Sequence, residues 1–220
     1  MSNKLTIPLA IIFGGIIVAV ALYVSVPKGS PSTGNPSLVR PVGVSDHILG
    51  NPAAKVMLVE YADFDCEYCK GFDETLHQII ADEGATGEVA WTYREFPLSE
   101  IHPNALRHAE AAECAALSAG NEAFWKFKTE LFKHQPIDPQ QYGTFAKNVG
   151  ISSEAFADCF AKAATTVDAR IQADRKNALD MGAQGTPYTL ILVAGKPPVV
   201  MTGANPYGVV KQLVDEALSN

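Results

Sequence analysis

The sequence predicts an α/β sandwich whose two halves are separated by a helical insertion. Three features carry this reading: a strand–helix–strand unit over residues 55–96, a strand–strand–helix unit over residues 188–218, and a long stretch of helical periodicity between them. No internal repeat interrupts that order.

The first strand is Lys55–Tyr61, KVMLVEY, a short apolar run rich in β-branched side chains, as a buried strand requires. The spacing then predicts a helix over Cys66–Asp82, with Phe72, Leu76, Ile79 and Ile80 on one face and Gly84 and Gly87 punctuating its end. Val89–Phe96, VAWTYREF, is a second strand, so this half is a βαβ unit with a right-handed crossover. In the insertion, Asn104–Ala119 is an Ala-rich helix and Glu122–Lys133 carries Phe124, Phe127, Leu131 and Phe132 on one side. Pro139–Val149, Ser153–Ala163 and Thr166–Met181 read as shorter helices, the second capped by Ser152 or Ser153 and the third stopped by Gly182. Tyr188–Val193 and Val199–Thr202 are strands joined by the turn Ala194-Gly195-Lys196, and Pro206–Leu218 closes the chain as an amphipathic helix.

Ahead of this lies Ile7–Val26, an uncharged apolar run. About 20 such residues are needed to cross a bilayer as a helix, whereas a signal-peptide core has roughly 7–15. The length favours an uncleaved anchor, although Ala19-Val20-Ala21 has the small-x-small pattern of a cleavage site. Residues 27–45 are dominated by Pro, Gly and Ser, as a flexible tether is. The expected organisation is an anchor at 1–27, a linker at 28–45 and a folded domain at 46–220 with its insertion at about 98–182. Residues 1–45 contain Lys4, Lys28, Arg40 and no acid, leaving 14 basic and 24 acidic side chains in residues 46–220, a formal charge of −10. That charge repels phosphate backbones and argues against nucleic acid as a partner.

Four cysteines follow the apolar run, Cys66, Cys69, Cys114 and Cys159, an even number that suits an oxidising compartment. They place the domain outside the cytoplasm, and the expected location is the cell membrane, single-pass, with the catalytic domain on the extracytoplasmic side. Cys66-Glu67-Tyr68-Cys69 is a C-x-x-C motif at a strand-to-helix junction. There the unpaired N–H groups and partial positive charge of a helix N-terminus favour a thiolate at Cys66, the attacking species in disulfide exchange. Cys69, one turn on, resolves. Cβ atoms at that spacing lie ~5–6 Å apart, so a bridge forms only if the first turn adjusts. Asp65 and Glu67 flank Cys66 and oppose its thiolate. A zinc site would need a second clustered pair, and Cys114 and Cys159 stand alone. A c-type haem site would need His, not Lys70, after the second Cys. No metal and no cofactor is expected. His102 and His108 lack the spacing of helical zinc ligands and read as capping or surface residues.

Residues 45–220 resemble the DsbA-type branch of the thioredoxin superfamily. The resemblance rests on five ordered segments: Asp46–Pro52, Glu60–Cys69, Arg94-Glu95-Phe96-Pro97-Leu98, Ala112–Ala115 followed by Phe124-Trp125, and Gly185-Thr186-Pro187. It implies a thioredoxin fold and a protein thiol–disulfide oxidoreductase. It also implies a cis bond before Pro187, packed beside the cysteine pair, where the Thr186 backbone pairs with an extended substrate segment. The superfamily often carries a buried acid at the place of Glu60, which implies a proton relay to Cys69; a strand-end Glu facing solvent is the plainer alternative. Arg94 is a candidate partner charge for it. Some members have a disulfide at the places of Cys114 and Cys159, which implies a structural bridge; two buried free thiols are the alternative. Glu67 and Tyr68 depart from the Pro or His common between the family's cysteines, which bears on redox potential.

The leading function is an extracytoplasmic oxidoreductase that introduces disulfides into exported proteins through Cys66–Cys69. Its expected partners are exported protein thiols and a quinone-linked membrane redox protein, with the membrane engaged through its own anchor and the chain a monomer. A reductase or isomerase with the same site, and a non-enzymatic tethered peptide-binding module, are the alternatives.

Overall fold

The computed structural model describes residues 34–219. One five-stranded sheet is built from β1 (His47–Gly50), β2 (Val56–Ala62), β3 (Val89–Glu95), β4 (Tyr188–Val193) and β5 (Val199–Thr202), in the order β1-β3-β2-β4-β5. β2 and β3 are parallel, as the βαβ reading requires, and the other pairings are antiparallel. The helices described are α1 (Glu67–Glu83), α2 (Ala105–Lys133), α3 (Tyr142–Asn148), α4 (Ser153–Ala161), α5 (Ala163–Thr166), α6 (Asp168–Asp180) and α7 (Tyr207–Ser219). Helices α2 to α6 form the insertion between the βαβ and ββα halves, giving the thioredoxin-like α/β fold the sequence predicts.

β2 and β3 are buried along their whole length, and strand alternation decides which partner each side chain meets. Val56, Leu58, Glu60 and Ala62 of β2 point to one face, Met57, Val59 and Tyr61 to the other. The first face packs with Phe72 and Leu76 of α1, Phe124 and Phe127 of α2, and Val210 of α7. The second packs with Ala178 and Met181 around α6. On β3, Trp91, Tyr93 and Glu95 share the face of Glu60, and Arg94 takes the opposite one. Arg94 is therefore not the partner of Glu60. It is fully buried on the α6 side, donating from Nε to Asp46 Oδ1 at 2.8 Å and from Nη1 to the Tyr61 hydroxyl at 2.7 Å.

The two-helix reading of 104–133 has a physical basis in Gly120, whose φ of +82° breaks the helical path inside α2. Ser152 is the cap of α4, accepting from the Ala155 N–H. β1 has no signal in the sequence, because its four residues HILG are too few for a period and owe their conformation to pairing with β3.

Two expectations about the N-terminal part change. Residues 34–45, expected to be the end of a flexible linker, lie against α6: the Asn35 N–H donates to the Asp180 carbonyl, the Arg40 N–H donates to Asn177 Oδ1, and Asn177 Nδ2 donates to the Leu38 carbonyl. The expected single-pass cell-membrane location is corrected. Among the described residues no helix is long and apolar enough to cross a membrane; the longest, α2, is studded with charges and broken at Gly120. The segment expected to supply the span, residues 7–26, lies outside the described residues. The extracytoplasmic side expected for the domain, which rested on its four cysteines, goes with that location.

Cys114 of α2 and Cys159 of α4 are joined in a disulfide, Cα–Cα 5.7 Å. Replacing both by Ser should remove at most about 4 kcal/mol of loop-closure stabilisation for a bridge spanning 45 residues, a fall of up to roughly 16 °C in melting midpoint. Circular-dichroism melts of the non-reduced protein measure it; an unchanged midpoint would show that packing between α2 and α4 suffices alone.

Candidate active site

Cys66 closes the loop after β2 and is the N-cap of α1, with extended backbone at φ −74° and ψ 117°. It stands just outside the regular helix, so the two cysteines are not held at the spacing of an ideal first turn. Both are free thiols and both are buried. Cys69 donates its thiol hydrogen bond to Cys66, and this pulls the Cys66 pKa down to about 6 against the effect of burial. The Thr186 side chain and the backbone N–H groups of Cys69 and Tyr68 help. Burial, joined by the same exchange, pushes Cys69 well above the usual thiol range. The site thus holds one thiolate, outermost, and one thiol beneath it.

The loop before β4 meets Cys66 from the other side. The Thr186–Pro187 bond is cis, and the Thr186 carbonyl oxygen lies 3.5 Å from Cys66 Sγ. Beside it a cavity of about 330 Å³ is lined by Gln184, Thr186, Pro187, Tyr188 and Thr202 among others. Tyr68 and Ile101 are large apolar side chains left exposed at this end of the molecule, at 71% and 69%.

Glu60 is buried beneath Cys69, not at a solvent-facing strand end. Burial raises its pKa to about 7, opposed by the Lys128 charge and by the Trp91 indole N–H, which donates to Oε2 at 3.1 Å. Oε1 has no hydrogen-bond partner among the described residues.

Three groups that sequence reasoning missed complete the site. Lys128 of α2 is fully buried, paired with Asp73 of α1 and enclosed by aromatic rings. A signal for it exists: Lys128 is four residues from both Phe124 and Phe132, on the stripe the helix buries. His102 and His108 are not capping or surface residues. His102 Nδ1 lies 2.9 Å from Asp63 Oδ2, and the same oxygen accepts the Leu98 N–H at 2.7 Å, so Asp63 ties the Cys66 loop to the 98–102 loop. Burial works against protonation of His102, and its bond to Asp63 carries its pKa above the usual value. His108, fully buried, joins Asp65 through Nε2 at 3.0 Å and receives the Tyr142 hydroxyl at Nδ1. Asp65, expected to weaken the thiolate from next door, is thus held by a side chain of the insertion. No spacing in the sequence announces either histidine, because both partnerships cross between elements far apart in the chain. Among the described residues no group of His, Cys, Asp and Glu is arranged to hold a metal ion.

Comparison with known proteins bears on this arrangement. A thioredoxin family model matches residues 43–195. The chain superposes on alpha-DsbA1 of Wolbachia pipientis with a TM-score of 0.71 at 21% identity, covering 83% of this chain and 95% of that one. For the thiol-disulfide exchange protein alpha-DsbA2 of the same organism the values are 0.68, 24%, 79% and 87%. For BdbD of Bacillus subtilis they are 0.68, 22%, 80% and 94%. At these identities the likeness is one of fold. Curated relatives include proteins named Na(+)/H(+) antiporter NhaA 1. The one from Mycolicibacterium gilvum is 31% identical over 156 residues, 70% of this chain and 24% of the relative. The one from Mycolicibacterium vanbaalenii is 31% identical over 185 residues, 83% of this chain and 28% of the relative. The chain therefore spans less than a third of the length of either.

The Cys66 thiolate carries a pH signature. A thiol whose folded pKa lies below its unfolded value stabilises the fold above the unfolded value and loses that contribution as pH falls through the folded one. For Cys66 the window runs from 9.0 down to about 6. Reduced wild type should therefore gain stability relative to Cys66→Ser as the pH rises across that window, in urea titrations with reductant present. Parallel curves for the two proteins would remove the thiolate from the account.

Proposed function

The chain belongs to the thioredoxin family, and from that premise we propose that it is a protein thiol–disulfide oxidoreductase that donates a Cys66–Cys69 disulfide to protein thiols. The observation that carries the reading is the pairing of an outer cysteine, held as thiolate at a helix N-terminus and facing the Thr186 carbonyl, with an inner cysteine held as thiol.

The exchange follows from that asymmetry. A substrate thiolate attacks Cys66 Sγ of the oxidised site; the Cys66–Cys69 bond breaks and Cys69 leaves as thiolate. Glu60, with its pKa near neutrality, supplies the proton that Cys69 takes up. A second substrate thiolate then attacks the substrate sulfur of the mixed disulfide, and Cys66 leaves as a thiolate already stable at neutral pH. The substrate gains a disulfide, and its two electrons rest on the Cys66–Cys69 pair. A stabilised Cys66 thiolate favours the reduced form of the protein, which supports the oxidising direction. Exposed Tyr68 and Ile101, with the cavity beside Pro187, support an extended peptide as substrate, its backbone pairing at Thr186.

The test is equilibration with glutathione and oxidation of a dithiol peptide. The reading expects a reduction potential above about −200 mV, net transfer of the disulfide to the peptide, and its loss in Cys66→Ser. A potential near about −270 mV would reverse the direction of electron flow, and full activity in Cys66→Ser would end the reading.

A further inference from the structure

A lysine in the interior needs a reason, since removing an ammonium from water is costly unless its charge is compensated. Lys128 has no exposed surface. Its Nζ pairs with Asp73 Oδ1 on α1. It lies over the rings of Trp91 at 4.2 Å, Trp125 at 4.9 Å, Tyr93 at 5.2 Å and Phe132 at 5.2 Å. A carboxylate partner and four ring faces are the surroundings of an ammonium, not of a neutral amine. Beyond Asp73, the charges it faces are those of the redox site: burial lowers its pKa to about 7, and Glu60 of β2 and Cys69 of α1 hold it up. His77 of α1 completes the circle of titratable neighbours, its ring against Trp91 and its Nε2 3.7 Å from Asp73 Oδ2.

The chemistry proposed above puts a negative charge on Cys69 each time the disulfide opens or re-forms. Burial, the Cys66 sulfur and Glu60 all oppose that charge, and a backbone hydrogen bond at Asp63 favours it. We propose that Lys128 is a positioning residue for the exchange, whose buried ammonium, fixed by Asp73 and the aromatic box, stabilises Cys69 as the departing and the attacking thiolate. This inference rests on the oxidoreductase reading and extends it: the insertion helix α2 supplies a charge that the sheet and α1 lack. When a substrate thiolate opens the disulfide, the sulfur that leaves is Cys69, and a lower cost for its anion speeds that step; the proton then arrives from Glu60, whose ionised form Lys128 also stabilises.

The experiment follows attack of reduced glutathione on the oxidised protein by stopped flow across pH, in wild type, Lys128→Met and Lys128→Arg. An opposite charge at close range shifts a pKa by about 1–3 units, and exchange rates follow thiol pKa with a slope near ~0.5, so Lys128→Met should be roughly 3- to 30-fold slower. Its pH profile should move upward, and Lys128→Arg should recover most of the rate. The Cys66 thiolate midpoint should stay in place, because Cys66 is not among the groups facing Lys128. A folded Lys128→Met with wild-type rate and profile overturns the proposal. Should that variant fail to fold, wild type decides: the Lys128 Cε resonance in ¹³C-lysine protein should titrate at different pH in the dithiol and disulfide states, and identical titrations overturn it. Wild type that does not exchange with glutathione at all defeats the oxidoreductase reading instead.

Discussion

Glu60, Cys69 and Lys128 occupy one dry volume between β2, α1 and α2, and none of the three has more than about a hundredth of its surface in water. An acid, a thiol and an amine can share such a space only if their charges answer one another, because each alone would be neutralised by its surroundings. The consequences run outward. The acid and the amine are drawn toward neutrality from opposite sides, both to about 7, and Cys69 is kept as a thiol. A protonated Cys69 is what donates to Cys66 and fixes the outer sulfur as a thiolate. The reactivity of the exposed end is therefore set by what is buried beneath it.

The helical insertion has more to do than cover the sheet. It delivers Lys128 and His108 from α2, Tyr142 from α3, and, through the loop leading into α2, His102. Among these, His102 holds Asp63, and His108, itself met by Tyr142, holds Asp65, so that neither of these acids just ahead of Cys66 is free to act on the thiolate as an isolated charge. The Cys114–Cys159 bridge fixes α2 to α4 four turns from Lys128 along a helix already broken at Gly120. A helix that carries catalytic electrostatics benefits from such a fastening, since a displacement of its buried charge changes the site more than a displacement of its surface does.

The opposite face of the sheet is a second charged interior with a structural role. Arg94 reaches Asp46 and Tyr61, and Asn177 of α6 reaches Tyr61 and the 34–45 segment. This network fastens the segment ahead of β1 to α6 and explains why residues rich in Pro, Gly and Ser are ordered there: their backbone groups are paired with named side chains.

Local pattern determined a large part of this protein. The apolar runs of β2 and β3, the period of α1, the break at Gly120, the Ser152 cap and the β4–β5 turn are all governed by near neighbours in the chain, and each is found where the sequence puts it. So is the C-x-x-C motif at a helix start, since both cysteines lie within four residues. Tertiary structure alone decided the rest. Whether Arg94 or Lys128 meets Glu60 depends on the parity of two strands and on the way a distant helix docks, and only Lys128 lies on the proper side. The roles of His102 and His108 depend on contacts across 39 and 43 positions. A single side chain's pairing over such distances leaves no periodicity to read, because it is fixed by packing that brings the elements together and not by the residues beside it.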